Sequence, residues 1–276
     1  MRGFVITILS VTLIVILVVL AISLRNAQLS TERGLIEPLP LTYAAFLLDD
    51  VGYEFNSLIG PAIKLDERND STILIISDSL HDYNHSADMI RYGDFLASEV
   101  AAQTSSNISA NLTNITSGTI TLYIDEDYVY TNNHTINESI FTRDGGTGAT
   151  DYSVNLTVTA VRSNITHMPF NSSGTMNVTI QYTDLNGTGI EQGSVFPNVR
   201  TTLELDYAGG GIVYVTVGPQ GGNSGSLLLQ ARGIGADVSW SAKLPAINSS
   251  KRLGYQYDAT IDYYQGAVSK HSRIGK

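Results

Sequence analysis

The sequence predicts a single N-terminal transmembrane helix, a short helical neck and then a mainly-β antiparallel sandwich ectodomain. Three observations carry that prediction. Phe4 to Leu24 is an unbroken apolar run with no charge and no proline. Two later segments, 41–59 and 86–103, repeat apolar residues at helical spacing. From about residue 107 the chain alternates apolar with polar residues in short β-branched and aromatic stretches. The expected divisions are 1–25 for the anchor, 26–106 for the neck and 107–276 for the sandwich.

The apolar run is 21 residues long, and a helix of that length covers about 30 Å, the thickness of a hydrocarbon core. Thr7, Ser10, Thr12 and Ser23 can hydrogen-bond within the helix itself. A cleaved secretory signal is the alternative. Its apolar part is usually about 7 to 15 residues, so the longer run favours retention, and Ala21-Ile22-Ser23 is only a passable cleavage site. Arg2 stands on one side and Arg25 and Arg33 on the other, which leaves the orientation unset by basic residues.

Asparagines in Asn-x-Ser/Thr context set it instead. They are Asn69, Asn84, Asn107, Asn111, Asn114, Asn133, Asn137, Asn155, Asn164, Asn171, Asn177, Asn186 and Asn248, 13 of the 18 asparagines. Random placement at this Ser and Thr content gives about 3.5. All lie after the apolar run and none has proline in the middle position. N-glycans are added outside the cytoplasm, so residues 25 onward are expected outside, on a single-pass cell-membrane protein. Such a domain without one cysteine fits an archaeal cell surface better than a disulfide-forming secretory pathway.

In chain order, Pro38 and Pro40 end any continuation of the membrane helix. Ala44, Leu47, Leu48, Val51, Phe55, Leu58 and Ile59 then form one helical stripe that Gly60-Pro61 closes. Ile73 to Ile76 suits a short buried strand. Met89, Tyr92, Leu96 and Val100 stripe the second helix. Strands are expected at 119–124, 154–158, 176–180, 203–205, 212–215 and 257–263. Asparagines inside the alternation fall on its polar side, where glycans would also keep strand edges from pairing with other chains.

Composition excludes several classes. With no cysteine there is no disulfide scaffold, thiolate zinc site or cysteine nucleophile. A formal charge of −10 argues against nucleic acid as a partner. Charged residues at 15% and hydrophobic ones at 43% argue against disorder.

Ile75-Ile76-Ser77-Asp78-Ser79-Leu80-His81 resembles the first metal-binding stretch of the metallophosphoesterase family, with Gly93-Asp94 and Asn133-His134 in the place of its later blocks. That resemblance implies a membrane-anchored, metal-dependent ectohydrolase with Asp78, His81 and Asp94 as its first ligands. The pattern departs from the family in three ways. Asp78 and His81 stand one residue too far apart, Asn132 replaces a glycine, and no Gly-His-x-His block follows. A dinuclear centre needs nearly all of its ligands. His81 and His85 stand four apart, yet a solvated loop suits Asn84-His85-Ser86 better.

Gly222-Asn223-Ser224-Gly225 resembles the nucleophile loop of chymotrypsin-like proteases, without an early His or Asp block to supply a base. The glycine-rich stretch from Asp144 to Asp151 resembles one copy of a calcium-binding loop. With Asp125 and Asp127 it makes calcium the one candidate cofactor, and a calcium- or carbohydrate-binding module a third reading, although hard cations need about six to eight oxygens. Lys270 to Lys276 is a basic end on an acidic chain, suited to an acidic neighbour.

Arg2-Gly3-Phe4 followed by the apolar run resembles the N-terminus of archaeal type IV pilins and related surface glycoproteins. The resemblance implies cleavage after Gly3, apolar helices bundled into a filament core, and a glycosylated β head. It covers about 24 residues plus the layout; Ile8 stands where many bacterial pilins carry glutamate. The expected function is therefore structural or adhesive rather than enzymatic. The expected partners are the bilayer through residues 4–24 and other copies or surface proteins.

Overall fold

The computed structural model describes residues 38–59, 61–67, 71–81, 86–124, 127–167, 173–245, 254–266 and 268–275. The expected anchor at 4–24 lies outside them. Among the described residues no helix is long and apolar enough to cross a membrane.

The ordered chain is mainly antiparallel β, in two facing sheets. Helix α1 (Pro38–Ile59) starts at a proline, which the first turn of a helix tolerates because its N–H needs no partner there. Strands β1 (Ala62–Glu67) and β2 (Ser71–Leu80) form a hairpin. Helix α2 (Ser86–Phe95) runs through a π-helical turn (Leu96–Val100) into α3 (Ala101–Thr104), where Ser105 ends it in a left-handed conformation. After β3 (Asn107–Asn111) and the single turn α4 (Thr113–Thr116) come β4 (Thr119–Ile124), β5 (Tyr128–Asn133) and β6 (Glu138–Arg143). The remaining strands are β7 (Asp151–Thr157), β8 (Arg162–His167), β9 (Met176–Asp184), β10 (Gly187–Val195), β11 (Thr201–Tyr207), β12 (Ile212–Gln220), β13 (Asn223–Arg232), β14 (Ala236–Pro245), β15 (Tyr255–Gln265) and β16 (Val268–Gly275).

The smaller sheet has the order β1-β2-β14-β7-β9-β10. The larger runs β16-β15-β4-β5-β6-β13-β12-β11-β8, with β3 joined to β15 beside β4. All pairs are antiparallel except β7 with β9. These run parallel because the chain leaves the smaller sheet to make β8 before it returns. The hairpin β1–β2 belongs to this smaller sheet, so the segment expected as a helical neck supplies two of its six strands.

An aromatic seam joins the two sheets. Trp240 of β14 is 1% exposed and lies 4.9 Å from the Phe141 ring and 5.7 Å from the Tyr130 ring. Phe141 also stacks on Tyr128 and meets Tyr152 edge-on. Four more strands lie in the larger sheet than in the smaller, and the helices cover part of that excess. Leu47, Val51, Phe55 and Ile59 of α1 are buried at helical spacing. Phe55 meets Tyr257 of β15 edge-on at 5.4 Å, and the Tyr92 hydroxyl of α2 donates to the Val51 carbonyl. Trp240→Ala is expected to cost about 3–5 kcal/mol of stability in denaturant unfolding, the range for emptying a buried tryptophan site.

Candidate functional site

Asp78 is the catalytic candidate that the fold places most informatively. On β2, Leu74, Ile76 and Leu80 are buried, and Asp78 shares their inward face. Its Oδ2 accepts from the Tyr130 hydroxyl and from Asn132 Nδ2, both at 2.6 Å. Its Oδ1 accepts from the Ser79 backbone N–H at 2.7 Å. Tyr130 is pushed well above the ordinary phenol range, first by burial and then by the Asp78 charge, so it keeps its proton and donates. Burial foremost, with Tyr255 and Asp78 after it, raises Tyr257 as well. The arrangement is a carboxylate clamp from β2 in one sheet to β5 in the other.

His81 and Asp94 do not join it. The exposed His81 ring pairs with Asp237 of β14 at 3.2 Å. Asp94 is on the exposed side of α2, where its carbonyl accepts from Ser98. Asn133 is half-buried and its side-chain oxygen caps Thr135 N–H, while His134 is buried in the turn that follows β5. His85 lies outside the described residues. Among the described residues no three His, Asp or Glu side chains are placed to hold a metal ion together.

The calcium candidates are likewise apart. Asp144 accepts from Asn223 at 3.3 Å, whereas Asp151 accepts from Asn177 at 2.6 Å and from Thr150 at 2.9 Å. Asp127 holds a positive φ in the β4–β5 turn, and its carbonyl accepts from Asp144 N–H. Asp125 lies outside the described residues.

The glycines of the two loops have a packing role. Gly225 has φ +64°; its N–H donates to Pro197 and its carbonyl accepts from the buried Tyr152 hydroxyl at 2.7 Å. Ser224 accepts from Gly148 N–H through its carbonyl. His134 lies beyond Glu138, which pairs with Gln230, six residues along β13 from Ser224, or about 20 Å at strand rise.

The acceptor asparagines occupy the outside. Among those described, Asn107, Asn111, Asn114, Asn155, Asn164, Asn177 and Asn186 are exposed, and Asn133 and Asn137 are half-buried. Asn155 and Asn177 face outward from the smaller sheet, between buried Val154, Leu156 and Val178. Asn107 and Asn111 are on β3, and Asn164 is on the edge strand β8. Asn111 Oδ1 accepts from both the N–H and the hydroxyl of Thr113. Amides already donating are Asn114 to Asp258, Asn164 to Asp206, Asn177 to Asp151 and Asn186 to the Arg162 carbonyl. Asn69, Asn84, Asn171 and Asn248 lie outside the described residues.

One polar cluster escaped sequence reasoning. Arg162 of β8 lies over the Tyr182 ring at 4.5 Å and 3.5 Å from Asp184, whose side chain is fully buried. Tyr207, pushed up to about 12 by burial and then by the Asp184 charge, completes it. Tyr182, Asp184 and Tyr207 are 20, 22 and 45 positions from Arg162 along the chain and no short motif links them; the pairing of β8 with β11 sets Tyr207 opposite Arg162, while Tyr182 and Asp184 come from β9 of the smaller sheet.

Asp78→Ala is expected to lower stability by about 2–5 kcal/mol, because it strands two buried donors. Asp78→Asn, which keeps an acceptor oxygen, is expected to cost clearly less in the same urea titration. No family model matches the chain, and neither a curated protein nor a solved structure is found similar to it.

Proposed function

We propose that the chain is a membrane-anchored, extracytoplasmic, N-glycosylated surface protein with a structural or adhesive role, of pilin-like layout. The observation that carries this reading is where the acceptor asparagines sit. Seven of the nine described are solvent-exposed, although the fold buries alternate residues of the same strands. Three of the seven are on β3 and β8, strands at the margins of the larger sheet. Sugars there would protect the unpaired backbone that such strands offer to other chains.

The carboxylates and imidazoles suggested as an ectoenzyme centre support this reading rather than the catalytic one. Asp78 ties the sheets together, His81 pairs with Asp237, and Asp94 faces away on a helix. The long apolar segment before Pro38 supplies the tether in this proposal.

Glycopeptide mass spectrometry of native material tests it. Asn107, Asn111 and Asn155 are expected to carry glycan, being exposed with side-chain amide N–H groups that donate to no partner among the described residues. Asn133 and Asn137 are expected unmodified, since both are half-buried at the β5–β6 turn. Unmodified asparagine at all three exposed positions contradicts the proposal. N-terminal sequencing that begins at Phe4 supports the pilin-like form, and an intact Met1 opposes it.

A further inference from the structure

We infer, on the glycosylated reading above, that an open groove between β9 and β10 on the outer face of the smaller sheet seats the first sugars of a glycan carried on Asn177. The groove has a volume of about 410 Å³, within the range of about 300–1,000 Å³ that small-ligand clefts occupy. It is lined by Asn177, Val178, Thr179, Gln192, Gly193 and Ser194. Asn177 and Thr179 are the acceptor and the hydroxyl of one Asn-x-Ser/Thr site, so the attachment point is itself a wall of the groove.

The pairing register builds the groove from polar pairs. Asn177 stands opposite Ser194, and Thr179 opposite Gln192. Opposite residues of an antiparallel pair share a face, with Cβ atoms about 5 Å apart, and successive pairs on that face stand about 7 Å apart. Val178 is buried on the other face and Gly193 opposite it has no side chain, so backbone forms the floor. One step further along the outer face, Ile190 stands opposite Gln181 and is 59% exposed. This chemistry suits a saccharide: hydroxyl and amide groups bond its hydroxyls, and an apolar side chain covers the C–H face of a ring. On the β7 side of β9, Asn177 Nδ2 donates to Asp151 Oδ1 at 2.6 Å. A glycosylated amide keeps one N–H, so this bond can persist and hold the side chain that carries the sugar. A tether this short keeps its ligand at about millimolar effective concentration or above, so an open groove is enough to hold it.

β10 is the strand that gains. Val195 is its one buried residue. Facing inward with it are Glu191 and three glycines, Gly187, Gly189 and Gly193, which offer no side chain to the core. A Cβ at Gly189 would run into the Tyr182 ring, so the inner face has no room for a larger anchor there. Packing added from the outer face is the remaining way to steady the strand.

Hydrogen exchange of the full-length glycosylated chain, read by mass spectrometry on peptides covering 187–195, tests it. Removing the glycan with Asn177→Gln is expected to speed exchange in β10 at least tenfold. Thr179→Val, which abolishes the acceptor site but keeps Asn177 on Asp151, is expected to do the same. Gln192→Ala with Ile190→Ala leaves the acceptor site intact and is expected to speed exchange to a similar extent while Asn177 stays glycosylated. Added to Asn177→Gln, that pair is expected to change little more, because sugar and groove make one contact. Asn155→Gln, which strips an acceptor from the neighbouring β7, is expected to leave β10 unchanged. Asn177 unmodified in native material, equal exchange of β10 with and without its glycan, or groove substitutions that act as strongly in the Asn177→Gln background each overturn the inference. None of these outcomes touches the glycosylated reading, which Asn107, Asn111 and Asn155 decide.

Discussion

The unequal width of the two sheets is the constraint on which the rest of the architecture depends. Six strands face ten, and the seam of Trp240, Phe141, Tyr130 and Tyr152 can close only the width that both sheets share. Beyond it the larger sheet still presents buried Tyr257, Ile261, Tyr263 and Ile274 on β15 and β16. Exposing that much apolar surface would cost several kcal/mol, and α1 and α2 supply the missing layer. The helices at the start of the chain are thus a structural need of strands at its end.

That dependence explains what could be read from the sequence and what could not. The stripe Leu47, Val51, Phe55 and Ile59 announces α1, and the alternation of Ile120, Leu122 and Ile124 announces β4, because each buries one face. β10 was not visible: Gly187, Gly189 and Gly193 interrupt any pattern, and the strand exists through its pairing with β9. β5 hides differently, since its inward face carries Asn132 where an apolar residue is expected. β2 proved ten residues long rather than four because Ser77, Asp78 and Ser79 look like loop, yet register with β14 holds them extended.

The same non-local logic accounts for where the residues that looked catalytic are placed. Asp78 drew attention as a carboxylate after a hydrophobic run, and its surroundings use that carboxylate to satisfy a buried phenol and a buried amide. A charge with donors from both sheets is well suited to fixing their relative register, and costly to strand. Ser224 and the Asp144–Asp151 loop drew attention through glycine, and those glycines let backbone from three loops approach closely around the Tyr152 hydroxyl. The exposed acceptor asparagines lie outside these buried networks, on the solvent side of the fold.

The central claim is topological: the β domain stands outside the cell. Labelling intact cells with a membrane-impermeant amine reagent tests it most directly, because Lys64, Lys243 and Lys270 are all exposed. The account predicts that all three lysines react as readily before lysis as after it. Modification that appears only once the membrane is broken would contradict it.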